Sequence, residues 1–483
     1  MQRREFLHSS LLFGASAMFP GSGHVSNWIS SIPAAPLQPI WDAAIGGHWN
    51  IVKEWLQRDP SLIAVTGYAE NLDYAEALTL FHVAAATHSD VGLLKYLVSR
   101  GADVNAIPHE DSTTPLCIAA AFNSNVEVLK YLVSVGADVN KEGYEGAPLR
   151  FAARTNPNVS ILKYLVSQGA DATATVEGGY TLLHTAAWYN SVEVMQYLVS
   201  LGVDANAKDL RDCTPLHNAT HYNSVEVMQF LVSQGIDVNA KQAWDNTPLH
   251  NAAWHNSVEA IQYLISQGAD AHTQDKYGTT LLHRAALDNT REVLQYIITL
   301  GADVNATTDE GETPLFEAAL KNSVHVMQYL VSLGAHTNVR DKCGYTLLHQ
   351  AAKQNSVEAM QYLVSLGADI HSQSNINRTP LHLAADRYRP NIEAVKYLVS
   401  KGAQVNAKDK NGNTPLHEAA DTYGSTANIV QYLVSVGADV HAKNKDGKTP
   451  LDVVNAEADD AEEKICILRE TMARRAFNCR SRA

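Results

Sequence analysis

The chain has 483 residues, with 37 Lys and Arg against 51 Asp and Glu, a net charge of −14 at pH 7 and 46% hydrophobic residues. A phosphate polymer is held by clustered cations that release counterions, and neither this balance nor any run of the sequence supplies such a stripe, so no nucleic-acid partner is expected. Nor does any stretch reach the eighteen or so apolar residues that span a bilayer, so no membrane span is expected in the mature chain.

The chain opens with Arg3-Arg4-Glu5-Phe6-Leu7, continues through the apolar run Leu11-Leu12-Phe13-Gly14-Ala15 and reaches the small triplet Ala15-Ser16-Ala17. Charge, apolar run and cleavage site in that order predict an export signal over residues 1–20. The arginine pair followed by Phe-Leu resembles the bacterial twin-arginine signal, which implies export of an already folded protein to the periplasm or beyond. The alternative is a basic start on a cytoplasmic scaffold or secreted effector. Residues 21–38, with Gly21, Gly23, Pro33 and Pro36, read as a linker. Cys117, Cys213, Cys343, Cys466 and Cys479 are odd in number and none has a CxxC or CxxH neighbour, so neither a disulfide frame nor a zinc site is expected.

From there the sequence repeats itself. Tetrads begin at Thr79, Thr114, Ala147, Thr181, Thr214, Thr247, Thr280, Thr313, Thr346, Thr379, Thr414 and Thr449, at intervals of 33 to 35 residues. A degenerate earlier copy, Pro39-Ile40-Trp41-Asp42-Ala43-Ala44, makes thirteen units over 39–456. In the copy at Thr214 the hydroxyl is an N-cap, Pro215 takes the first helical position, and Leu216 and Ala219 mark a short helix. Asn223-Ser224 ends it and caps a second helix, whose Val225, Met228, Leu231 and Val232 form one apolar stripe closed by Gly235. Ile236-Asp237-Val238-Asn239 and the polar stretch beyond suit a turn or short hairpin. A two-helix unit of this size cannot bury its apolar face alone, so neighbours must stack. The first unit carries Trp41, Trp49 and Trp55. Over 457–483 a last helix with Asp459, Asp460, Glu462 and Glu463 at its start and Arg469, Arg474 and Arg475 towards its end should close the stack with a polar outer face.

Thr414-Pro415-Leu416-His417-Glu418-Ala419-Ala420 and Gly301-Ala302-Asp303-Val304-Asn305 show the two signatures whole, and on them the sequence resembles the ankyrin repeat family from Pro39 to about Phe477. The resemblance implies an all-α solenoid of about 13 helix-turn-helix units joined by short β-hairpins or turns. The Gly-His common between the family's helices survives as Gly47-His48 and is elsewhere mostly Asn-Ser, as in Asn190-Ser191 and Asn355-Ser356. His82, His184, His217, His250, His283, His349, His382 and His417 fill the tetrad's fourth place, where the family uses the ring as a structural hydrogen-bonding group. Metal ligands must converge within about 2 Å of one ion, whereas stacked repeats hold equivalent positions about a helix diameter apart. No metal or cofactor is therefore expected. The aromatic that recurs in the second helix, as at Tyr131, Tyr197 and Tyr362, reads as a packing ladder.

The resemblance also implies that partners are met by hairpin tips and by the concave face of the first helices. The positions seven and eight places after the tetrad's start give Trp188-Tyr189, His221-Tyr222 and Trp254-His255 in three successive units, and the nearby tips add Tyr180, Trp244 and Tyr277. Tyr and Trp dominate interface energies, so these nine residues form the candidate groove for a protein or peptide. Their alternative is to cover the helices beneath them or stack on one another. An enzyme or metal binder built from His221, His255 and Asp288 with Tyr189 or Tyr222 is a weaker reading, because repeat spacing spreads groups along the axis. No Gly-rich phosphate loop, GxSxG elbow or HExxH helix is present, so the chain is expected to be a non-catalytic, monomeric binding scaffold.

Overall fold

The computed structural model describes residues 37–480 except 69–76, 89, 110–111, 144–145, 176–177, 189–190, 222–223, 256, 288–289, 387–389 and 423–425, and for 37–39 and 475–480 the backbone alone. The expected signal over 1–20, nearly all of the linker over 21–38, and Tyr189, Tyr222 and Asp288 lie outside the described residues.

Each repeat is built from its tetrad outward. Thr346 is extended, and its side chain caps the helix Leu347–Lys353 by accepting from the His349 N–H. The Thr346 N–H donates back to His349 Nδ1 at 3.1 Å, and the hydroxyl lies 2.9 Å from the same nitrogen. Two donors at the helix start are thereby satisfied by residues three apart. The other ring nitrogen, Nε2, donates across to the Arg378 carbonyl of the next repeat at 2.9 Å. Because a carbonyl only accepts, the ring is the neutral Nε2–H tautomer. The same bridge runs from His82, His184, His250, His283, His382 and His417 to carbonyls 29 or 31 residues on, at 2.9 to 3.3 Å. Burial lowers the pKa of His82, His250, His283, His349 and His382 to about 4, which keeps the rings neutral. The structural reading of these histidines is what the hydrogen bonds show.

Among the described residues this module gives twelve helix pairs and a final helix. They fall into two compact units, Met1–Asp237 and Val238–Ala483. In the first unit the pairs run from Leu37–Ile45 with Trp49–Arg58 to Pro215–His221 with Val225–Ser233. In the second they run from Pro248–Trp254 with Val258–Ser266 to Pro415–Ala420 with Ala427–Ser435, then Ala461–Arg480. Within each unit first helices pack on first helices and second on second. The core is the repeated apolar set, such as Val227, Met228 and Leu231 in the first unit and Val326, Met327 and Leu330 in the second. The asparagine of the second signature links neighbours: Asn305 donates to the Gly334 carbonyl at 3.2 Å and accepts from the His336 N–H at 2.8 Å. Where Asn-Ser replaces Gly-His, Asn355 takes the left-handed conformation (φ 62°) that Gly47 takes in the first pair, and Ser356 caps the following helix through the Ala359 N–H.

The expected hairpins are mostly turns. The described residues hold a single two-stranded ladder, Thr66–Tyr68 with Ala77–Thr79, and isolated bridges such as Gln274 with Thr280. Elsewhere a buried aspartate closes the loop in place of a strand partner, as when Asp209 accepts from the Arg211 and Cys213 N–H groups. Successive tips are joined by single backbone bonds, among them Lys276 N–H to Trp244 O at 2.9 Å and Asp309 N–H to Tyr277 O at 2.7 Å.

The ends differ in detail from expectation. Helix begins at Leu37, ahead of Pro39, and Trp41 and Trp49 are buried. The tetrad at Thr449 opens turns rather than an α-helix. There Asp452 replaces the histidine and accepts from the Thr449 N–H and hydroxyl at 2.8 and 2.7 Å, but a carboxylate has no donor to send onward. In the closing helix Asp460 caps the neighbouring helix Ala427–Ser435 through the Thr426 and Ala427 N–H groups, and pairs with the fully buried Lys464 at 2.8 Å. Ala461, Lys464 and Leu468 face inward while Glu462, Glu463, Arg469 and Glu470 are exposed, as a terminal cap requires.

Candidate functional site

The ring residues divide between the units. Tyr180, Trp188, Tyr189, His221 and Tyr222 belong to the first, and Trp244, Trp254, His255 and Tyr277 to the second. In the first unit the rings rest on neighbours. Trp188 stacks on His221 with centroids 5.9 Å apart, and Tyr180 meets the edge of His184 at 5.6 Å. Trp188, His221 and Tyr180 are half-buried, and burial raises the Tyr180 pKa.

In the second unit Trp244, Trp254 and Tyr277 are 47%, 47% and 51% exposed. Trp244 sits at a loop tip with φ 68°, a left-handed backbone that costs a bulky residue free energy. Trp254 ends the helix Pro248–Trp254 and stacks on His255 with centroids 6.3 Å apart. Tyr277 lies at the next tip, under the Lys276 ammonium at 5.3 Å.

A residue outside the predicted set joins these three rings. The Arg284 guanidinium lies 5.1 Å from the Trp254 ring centroid, donates to Asp275 Oδ2 at 2.8 Å and reaches Asn246 Oδ1 at 3.3 Å. Asp275 in turn holds the Tyr277 backbone, and Asn246 follows the Trp244 tip by two residues. The Asp275 side chain is fully buried, so the pair is a buried ion pair beneath a surface of rings. Large, half-exposed aromatic faces held over a fixed cation suit protein recognition. The signal was present in the sequence: Arg284 is the residue after the tetrad Thr280-Leu281-Leu282-His283.

The same position carries further charge along the second unit. Glu317 is raised to about 7 by burial and by Glu312, and Glu418 to about 7 by burial, against the pull of Arg378. Arg378 bonds Asp386 at 2.6 Å and Glu418 at 3.1 Å. Among the described residues no three His, Cys, Asp or Glu side chains converge as a metal site would require. His221 and His255 are each stacked on a tryptophan, in different units.

A family model for ankyrin repeats in three copies matches residues 40–143, 149–242, 216–308, 282–374 and 348–444. The chain belongs to the ankyrin repeat family, an all-α class of protein-interaction modules that is generally non-catalytic. No curated protein matches it. No helix of the described residues is long and apolar enough to cross a membrane.

Proposed function

We propose that this ankyrin array is a non-catalytic scaffold that binds a protein or peptide through first-helix ends and loop tips, with Trp244, Trp254 and Tyr277 as the principal contacts. The observation that carries it is the exposure of three large rings around one buried Arg284–Asp275 pair. His255 extends the same surface by its stack on Trp254, and Tyr180, Trp188 and His221 form the corresponding ring group of the first unit. Replacing Trp244, Trp254 and Tyr277 together by Ala should leave the helical circular dichroism intact and weaken partner binding at least a hundredfold, since each such anchor contributes about 2 kcal/mol or more. Unchanged affinity for a captured partner refutes this reading.

Export is the second part of the proposal. Its support is the order of Arg3-Arg4, the apolar run and Ala15-Ser16-Ala17. Fractionation and N-terminal sequencing test it: a mature start near Met18 in an exported fraction is expected, and an intact Met1 in the cytoplasm rejects it.

A further inference from the structure

Within the second unit, interfaces between repeats are tied by a ring that bonds across them. His250, His283, His349, His382 and His417 each send Nε2 to a carbonyl of the following repeat. Between the repeats that begin at Thr313 and Thr346 the place of that ring is taken by Phe316. Phe316 is buried, so it fills the volume of a histidine and keeps the apolar packing, but it has no nitrogen to cap Thr313 or to reach the carbonyl of Tyr345. The Thr313 hydroxyl is left buried without a partner, whereas the Thr346 hydroxyl lies 2.9 Å from its histidine.

The second tie is missing at the same interface. Asn305 and Asn406 bridge theirs by donating to the Gly334 and Gly437 carbonyls and accepting from the His336 and Asp439 N–H groups. Asn338 holds the equivalent place ahead of the Thr346 repeat, yet among the described residues its side chain bonds neither Gly367 nor Asp369. Ser323 of the same repeat is also buried with its hydroxyl unpaired, although Ser257 and Ser356 cap the corresponding helices through the Ala260 and Ala359 N–H groups. Like charges meet there as well: burial, Asp341 and Glu310 together raise the Glu312 pKa, with Lys353 opposing them. What remains is the tip bond from the Lys342 N–H to the Glu310 carbonyl at 2.7 Å and the packing of Pro314–Leu320 on Leu347–Lys353.

In a stacked array the weakest interface decides where the structure parts first. We infer that the interface between the Thr313 and Thr346 repeats is a built-in seam, at which the second unit opens into a block carrying Trp244, Trp254 and Tyr277 and a block closed by the helix Ala461–Arg480. Apolar faces part and rejoin without a fixed partner to find, because their attraction is non-directional. A partner seated on both blocks holds the seam shut, and one seated on the rings alone leaves it free to open.

Hydrogen exchange of the full chain, read by mass spectrometry, tests the seam. A repeat with one neighbour is less stable than a repeat with two, so Pro314–Leu320 and Leu347–Lys353 should exchange about tenfold faster or more than Leu281–Ala286 and Pro380–Ala384. Phe316→His supplies the missing nitrogens and should slow the two seam helices about tenfold, leaving Pro248–Trp254 and Pro415–Ala420 within about twofold of the parent. His283→Phe should do the opposite one interface earlier and speed exchange of Leu281–Ala286. Seam helices that exchange no faster than their neighbours, or a folded Phe316→His chain with unchanged exchange, overturn the inference. Should circular dichroism show that Phe316→His does not fold, the parent profile and His283→Phe decide: fast exchange at the seam in the first and a new fast site in the second uphold it, and the absence of either overturns it.

Discussion

The two compact units repeat one module and differ at the residue that follows the tetrad. In the first unit this residue is Val83, Ile118, Phe151, Thr185 or Asn218, all buried and uncharged. In the second it is Asn251, Arg284, Glu317, Gln350, Leu383 or Glu418, and Val453 after the last tetrad. Both units are built from the same helix pairs, and bridging histidines occur in both, so the module tolerates either content. Buried ion pairs add little net stability over apolar packing, because desolvation offsets most of the attraction. The charges of the second unit are therefore better accounted for by what they hold in place than by how firmly they hold the fold.

The comparison is sharpest where a charge has a partner. Arg284→Leu strands the fully buried Asp275 carboxylate and should cost about 3–5 kcal/mol in chemical denaturation. The double variant with Asp275→Asn should recover much of it, and Ile118→Val in the first unit should cost only about 1 kcal/mol. Equal losses at Arg284 and Ile118 would erase the distinction between the units.

A change common to both should affect them alike. His82→Ala in the first unit and His349→Ala in the second each strand a capping threonine and a neighbouring carbonyl and open a cavity, which should cost about 2–4 kcal/mol. Acid should have the same target. His82 and His349 titrate near 4 in the fold against 6.5 when free, so as pH falls from 6.5 the unfolded chain takes up protons first and stability declines toward pH 4. A midpoint that does not fall between pH 7 and 5 would contradict the neutral bridges.

Glu317 works in the opposite sense. Its carboxyl is raised to about 7 from 4.5, so the folded chain holds the extra proton and stability is lost as pH rises through that window. Glu317→Gln should raise stability by about 1–3 kcal/mol at pH 8, with most of the gain gone at pH 5. A pH-independent gain would trace instead to packing.

Much of the fold was legible because it is local. Thr346 and His349 are three apart, Asn355-Ser356 are adjacent, and the second-helix stripe recurs at a fixed period, so each copy restates the same short-range chemistry. The turn at Thr449 was not legible: the tetrad looks intact, and only the loss of a ring that donates to a following repeat distinguishes it. Among the ring residues, type was readable and exposure was not. Trp188 and Trp254 occupy equivalent positions, yet the first is half-buried against His221 while the second is 47% exposed.

By itself the sequence determined the repeat, its period, and the capping roles of threonine and histidine. These depend on neighbours a few residues away along the chain, whose distances the backbone fixes. The tertiary structure alone decided that Arg284 lies against Trp254 and pairs with Asp275, that Asp460 caps a helix more than thirty residues earlier, and that Gln350 is buried. Those facts depend on which side chains meet when one repeat settles on the next, a relation that stacking sets and the period leaves open.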